Sequence, residues 1–198
     1  LLVDTLVYII LPKMSFIASL LILPWISPFL TLNDYGIYGL LISYISVFQV
    51  LIGLGQVILL QNSFFSMARN YKLVWRRSFG LMMLFSLISI LFFIIIVKCT
   101  LADRLSDNIE IVIVLISIYF ILSPIDSIII NFYSLREQSI PYAIGMGIIG
   151  LTTTIITLVT IRYFRLGYMG WVFSLPLTAI LTHLYFFKRI YLSFAKIF

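Results

Sequence analysis

Charge is what this sequence has least of. Only 10% of its 198 residues are Asp, Glu, Lys or Arg, while 63% are hydrophobic, and the mean hydropathy is +1.18. Soluble domains carry about 25% charged and roughly 45–50% apolar residues. A chain this small also has too much surface for its volume to hide such an apolar excess from water. Soluble enzymes, nucleic-acid-binding modules and disordered linkers are therefore excluded. A single cysteine, Cys99, excludes an intramolecular disulfide and any cysteine-built metal cluster. No basic segment followed by a short apolar run and a cleavage site opens the chain, and its first residue is Leu1. It reads as a piece of a longer polypeptide. No long linker, low-complexity tract or internal repeat divides it.

What is present is apolar sequence in long continuous runs. Leu81 to Val97 holds only Ser86 and Ser89 as polar interruptions. Membrane barrel strands alternate lipid-facing and lumen-facing residues, so these runs predict helices, each needing about 20 residues to cross a bilayer. Cutting at the polar clusters predicts an all-α polytopic membrane protein, a single six-transmembrane-helix bundle over residues 1–198, with spans near 6–29, 36–60, 79–97, 110–131, 142–161 and 168–187. Asn33 and Asp34 are placed to cap the second helix, and Asp107 with Glu110 has capping-box spacing before the fourth. Pro141 opens the fifth without losing a backbone bond. Lys and Arg total 13 against 7 Asp and Glu, a net charge of +6, and nearly all the basic residues fall in loops. Six helices bring both termini to one side. That side carries Arg69, Lys72, Arg76, Arg77, Arg136, Lys188, Arg189 and Lys196; the other carries Lys98, Arg104, Arg162 and Arg165. The positive-inside rule then puts both ends in the cytoplasm.

Polar residues within spans are the candidates for function, because each costs several kcal/mol unless it pairs, snorkels or meets water. Lys13 lies roughly 10 Å into the first span at 1.5 Å per residue, directly after Pro12. Asp126 lies two residues after Pro124, near the cytoplasmic end of the fourth span and at a depth similar to Lys13. One reading has the cation facing a polar cavity with Asp126 holding it or relaying a proton. The plainer one has Lys13 snorkelling and Asp126 interfacial or protonated. Pro12, Pro24, Pro124 and Pro176 all lie within spans and suit helices that bend, although proline is common in membrane helices. Gln49 and Gln56 stand seven apart and predict a face toward another helix or a wet cavity. Thr153, Thr157 and Thr160 share a helical face and are placed to bond sugar hydroxyls or, more simply, their own backbone carbonyls. Gly145-Met146-Gly147-Ile148-Ile149-Gly150 matches G-x-G-x-x-G but lacks the strand that a dinucleotide site requires; close helix packing accounts for it. His183, the one histidine, reads as structural. Trp25, Tyr35, Tyr38, Tyr71, Trp75, Tyr163, Tyr168 and Trp171 read as an aromatic belt at span ends. Nothing has the spacing of a catalytic or metal constellation, so neither enzyme activity nor a cofactor is expected.

Leu30-Thr31-Leu32-Asn33-Asp34-Tyr35-Gly36-Ile37-Tyr38-Gly39-Leu40 resembles the outer turn and second-helix start of the Wzx-like polysaccharide (O-antigen) flippases of the MOP superfamily. Ile52-Gly53-Leu54-Gly55 is similar to the glycine-bearing end of that helix, and Leu166-Gly167-Tyr168-Met169-Gly170-Trp171 to the opening of the sixth. The resemblance implies one lobe, the N-terminal one, of a two-lobed transporter in the bacterial cytoplasmic (inner) membrane. Its cargo would be oligosaccharide linked to undecaprenyl pyrophosphate, flipped by alternating access, and its partner a C-terminal lobe or a second chain. Lys13 fits the family's cavity cation for the pyrophosphate, a role that a low-dielectric site makes physically reasonable. Another transporter of the superfamily, a drug or cation antiporter, would instead make Asp126 central. A membrane-embedded glycan enzyme would need a larger outer loop than any here.

Overall fold

In hydrocarbon a segment must satisfy its own backbone N–H and C=O groups, which favours helix wherever the apolar runs are long. The computed structural model describes residues 16–66, 71–105, 108–135 and 139–194, and no strand occurs among them. Helix α1 (Phe16–Phe29) ends in a 3-10 turn over Ser27–Phe29. It is followed by α2 (Leu32–Gly53), α3 (Gln56–Ser66), α4 (Tyr71–Thr100), the short α5 (Ala102–Leu105), α6 (Ile109–Leu135), α7 (Ser139–Arg162) and α8 (Tyr168–Phe194). Five segments among the described residues are long and apolar enough to cross a membrane: Leu32–Ser66, Tyr71–Thr100, Ile109–Leu135, Ile140–Arg162 and Tyr168–Phe186. The expected first span, 6–29, is described only in part, by the apolar α1. The outer surface is what lipid requires. On α4, Leu84, Leu87, Leu91, Phe92 and Ile95 are all exposed, Leu91 by 64%. This is a multi-pass helical membrane protein.

Several boundaries differ from the expected ones, for physical reasons. The third span was expected over 79–97, yet α4 begins at Tyr71, because Lys72, Arg76 and Arg77 are good helix formers and continue the helix beyond its apolar part. The second span, expected as one helix over 36–60, is broken at Leu54 and Gly55, whose φ angles are +23° and +73°. Its cap is also shifted. Thr31, not Asn33 or Asp34, is the N-cap, and Asp34 is the acid of a reciprocal capping box. The Asp34 N–H donates to Thr31 Oγ1 at 3.2 Å, and the Thr31 N–H donates to Asp34 Oδ2 at 2.8 Å. Asp107 lies outside the described residues.

The helices alternate in direction. The other carboxylate oxygen of Asp34, Oδ1, accepts the backbone N–H of Tyr168 at 3.1 Å, so one side chain joins the starts of α2 and α8. Gly167, with φ +54°, lies so close that a Cβ there would stand 2.6 Å from that oxygen. Arg162, at the end of α7, lies over the rings of Trp25 and Phe29 at the end of α1, at 5.7 and 6.0 Å. The loops after α1 and α7 therefore share one end of the bundle.

The long helix α6 packs against α2, α3, α4, α7 and α8. Phe48, Phe93 and Phe120 meet edge to face, with centroids 5.6 to 6.2 Å apart, and join α2, α4 and α6. Pro124 interrupts α6 at this level. Proline has no N–H, so the carbonyl of Phe120, one turn earlier, loses its helical donor. Ser86 of α4 replaces it: its hydroxyl, fully buried, donates to Phe120 O at 2.6 Å. Ser86→Ala is expected to destabilise the protein by about 1–3 kcal/mol, the cost of an orphaned buried polar group. In a Pro124→Ala background the restored N–H should supply the bond and most of that loss should vanish. Unfolding of the four proteins in a double-mutant cycle measures this, and equal losses in both backgrounds would contradict it.

Candidate functional site

On α6, Tyr119, Ser123, Asp126 and Ser127 recur at helical spacing and form one polar face. Such a face is costly against lipid, and it turns inward. Opposite it stand Gln49 from α2 and Thr178 and Thr182 from α8, around a cavity of about 270 Å³ that Tyr142 and Met146 of α7 also line. Ser123 donates its hydroxyl to Gln49 Oε1 at 3.3 Å. His183 Nε2 lies 3.3 Å from Asp126 Oδ1, close enough for an ion pair. Both of those atoms are buried without a hydrogen-bond partner, and so is Gln49 Nε2. Buried polar groups are ordinarily satisfied, so a cavity lined by Gln49 and Asp126, each with such an atom, is fitted for water or a polar guest.

A larger groove, of about 510 Å³, lies beside this cavity between α1, α2, α7 and α8, and Thr178 lines both. One wall carries Thr153, Thr154 and Thr157 of α7. Tyr35, Tyr38 and Trp171 line it from the end tied by Asp34. Trp171 stacks on Tyr38 with centroids 4.6 Å apart and meets Tyr35 at 5.3 Å. The threonine hydroxyls donate to their own helix: Thr153 and Thr154 to Gly150 O at 3.0 and 2.7 Å, and Thr157 to Thr153 O at 2.9 Å. Each hydrogen is thus engaged, and the oxygens are left to the groove as acceptors only.

Of the candidates, Asp126 and Gln49 line the cavity, and Thr153 and Thr157 line the groove. Thr160 lines neither and donates to Ile156 O and Thr157 O. Gln56 heads α3 beyond the break that parts it from Gln49; its Oε1 is buried without a partner, and it borders neither space. Lys13 and Pro12 lie outside the described residues. Gly145, the first glycine of the G-x-G-x-x-G stretch, meets α8 so closely that a Cβ would run into the Tyr185 ring. His183 is the residue that reading along the chain missed. Its signal was depth: it lies 15 residues after the first residue of α8, and Asp126 lies 17 after that of α6.

No protein-family model, curated protein or solved structure matches the chain. The cavity itself makes a prediction. With Cys99 replaced by Ser, a cysteine introduced as Ser127→Cys should react with a water-soluble thiol reagent in membranes, and one introduced as Leu91→Cys should not, although Leu91 is far more exposed. Equal labelling of the two would contradict an aqueous cavity and a lipid-facing α4.

Proposed function

We propose that this chain is a six-helix lobe of a transporter that flips undecaprenyl-pyrophosphate-linked oligosaccharide across the bacterial cytoplasmic membrane by alternating access, acting with a second lobe. The single observation that carries the reading is the groove. A glycan offers many hydroxyl donors and apolar ring faces, and the groove offers threonine oxygens as acceptors along one wall and the rings of Tyr35, Tyr38 and Trp171 at one end. The segments that carry the family resemblance, Leu30–Leu40 and Leu166–Trp171, are also the ones that Asp34 ties together at the aromatic end of that groove. In this reading the end bearing Lys72, Arg76 and Arg77 is cytoplasmic, by the positive-inside rule, and Lys13 receives the pyrophosphate. One observation favours an antiporter of the same superfamily instead, namely Asp126 in a cavity beside His183; a cation would then be the cargo.

In the intact transporter, Thr153→Val with Thr157→Val keeps the shape of the groove and removes two acceptors, each worth about 0.5–1.5 kcal/mol. Surface glycan should fall about tenfold while the protein level holds. Lys13→Ala should abolish export and Lys13→Arg retain part of it. Normal glycan from both the valine pair and Lys13→Ala would contradict the reading. Cysteines replacing Lys72 and Arg104 should label from opposite sides of the membrane.

A further inference from the structure

Asp126 and His183 are an acid and a base brought together from two different helices at one depth of a membrane bundle. Their facing atoms are 3.3 Å apart, and the side chains retain only 29% and 16% of their exposure. Beyond each other neither facing atom has a hydrogen-bond partner, and Asp126 lines a cavity wide enough for several waters, each occupying about 30 Å³. Among the described residues that line the cavity with Asp126, none carries a fixed charge to balance the pair. α2 presents Gln49, α7 presents Tyr142 and Met146, α8 presents Thr178 and Thr182, and α6 itself adds Tyr119, Ser123 and Ser127. Among the described residues that line the cavity, the other titratable groups are two tyrosines, Tyr119 and Tyr142.

We propose that Asp126 and His183 together form a binding site for one exchangeable proton, reached from water through this cavity. With the proton bound, the pair has no net charge, either as carboxylate and imidazolium or as carboxyl and imidazole, and α6 and α8 close on it. With the proton released to water, one net negative charge is left in an apolar bundle, which costs far more than it does in water. That state favours a hydrated, opened cavity. Proton occupancy thus biases the packing of α6 on α8, and both helices carry a proline on the side of the pair away from the C-terminus, Pro124 and Pro176. A metal cation is the poorer guest. An imidazole nitrogen faces the carboxylate oxygen that would bind it, and among the described residues no group of three His, Cys, Asp or Glu side chains gathers. The site rests on its own geometry; only its use to drive transport rests on the function proposed above.

The sequence has one histidine, so the imidazole signal of the full chain, labelled with 15N-histidine and held in phospholipid nanodiscs, belongs to His183 alone. With 13C-aspartate added, the Asp126 carboxyl is assigned by its loss in Asp126→Asn. In the unsubstituted protein the ring and the carboxyl should respond together, with one common midpoint. Asp126→Asn should displace the His183 midpoint by about one pH unit or more, and Asp126→Glu should keep it near its original position. A His183 midpoint that ignores Asp126→Asn would overturn the proposal. So would a midpoint in the unsubstituted protein that moves when sodium replaces choline, since that assigns the site to a metal cation. The titration does not involve glycan, so a failure here leaves the transporter reading standing, and a failure of glycan export leaves the proton site standing.

Discussion

A carbonyl that loses its helical donor inside a bilayer has no water to turn to, and this constraint shapes the whole bundle. Pro124 creates such a carbonyl at Phe120, and a serine from α4 supplies the missing donor. A proline inside α6 is thus tolerated where α4 packs, and the bond sets the two helices against each other at this level. The same constraint explains much of the remaining hydroxyl content. Ser43, Ser46, Thr152, Thr178 and Thr182 each donate to a carbonyl of their own helix four residues earlier. A hydroxyl that bonds its own backbone can lie in an apolar wall without an orphaned hydrogen. The polar atoms that do lack partners stand out against that background, and two of the residues that carry them, Gln49 and Asp126, line one cavity.

The helices were legible in the sequence because a run such as Leu81 to Val97 has no other way to meet hydrocarbon. Their ends were less legible. Cutting at charge removed the first two turns of α4, where Lys72, Arg76 and Arg77 lie on helix that has simply left the apolar layer. The resemblance put a glycine-bearing helix end at Ile52 to Gly55, but the break itself depends on how α3 packs against α4 and α6, and Trp75 holds it by donating its ring N–H to Leu60 O at 3.1 Å. The cap lies at Thr31 because an acid at Asp34 serves equally well as cap or as the far member of a box; the Thr31 hydroxyl decides it.

The candidate site was half legible. Asp126 announced itself, since a carboxylate within a span demands an explanation. His183 did not, because histidine near a basic helix end looks ordinary until the other helix is set beside it. Gln49 and Gln56 illustrate the opposite error source: a spacing of seven implies one face only if the helix between them is continuous, and it is not. The threonines were weighed as ligands or as self-bonded, and self-bonding is what the structure shows. Their hydrogens belong to the helix and their remaining lone pairs to the groove. That division limits the guest to donors, a restriction no sequence pattern contains.

Cavity and groove meet at Thr178, so a guest in one and a proton in the other would act on the same stretch of α8. The account as a whole stands on α6 and α8 lying side by side at the depth of Asp126. The most direct measurement is cross-linking within the membrane, in a chain whose Cys99 is replaced by Ser. The double variant Asp126→Cys/His183→Cys should be joined within one chain by a short bifunctional thiol reagent, and Leu91→Cys/His183→Cys should not. Failure to join the first pair, or joining of both pairs alike, would contradict the arrangement.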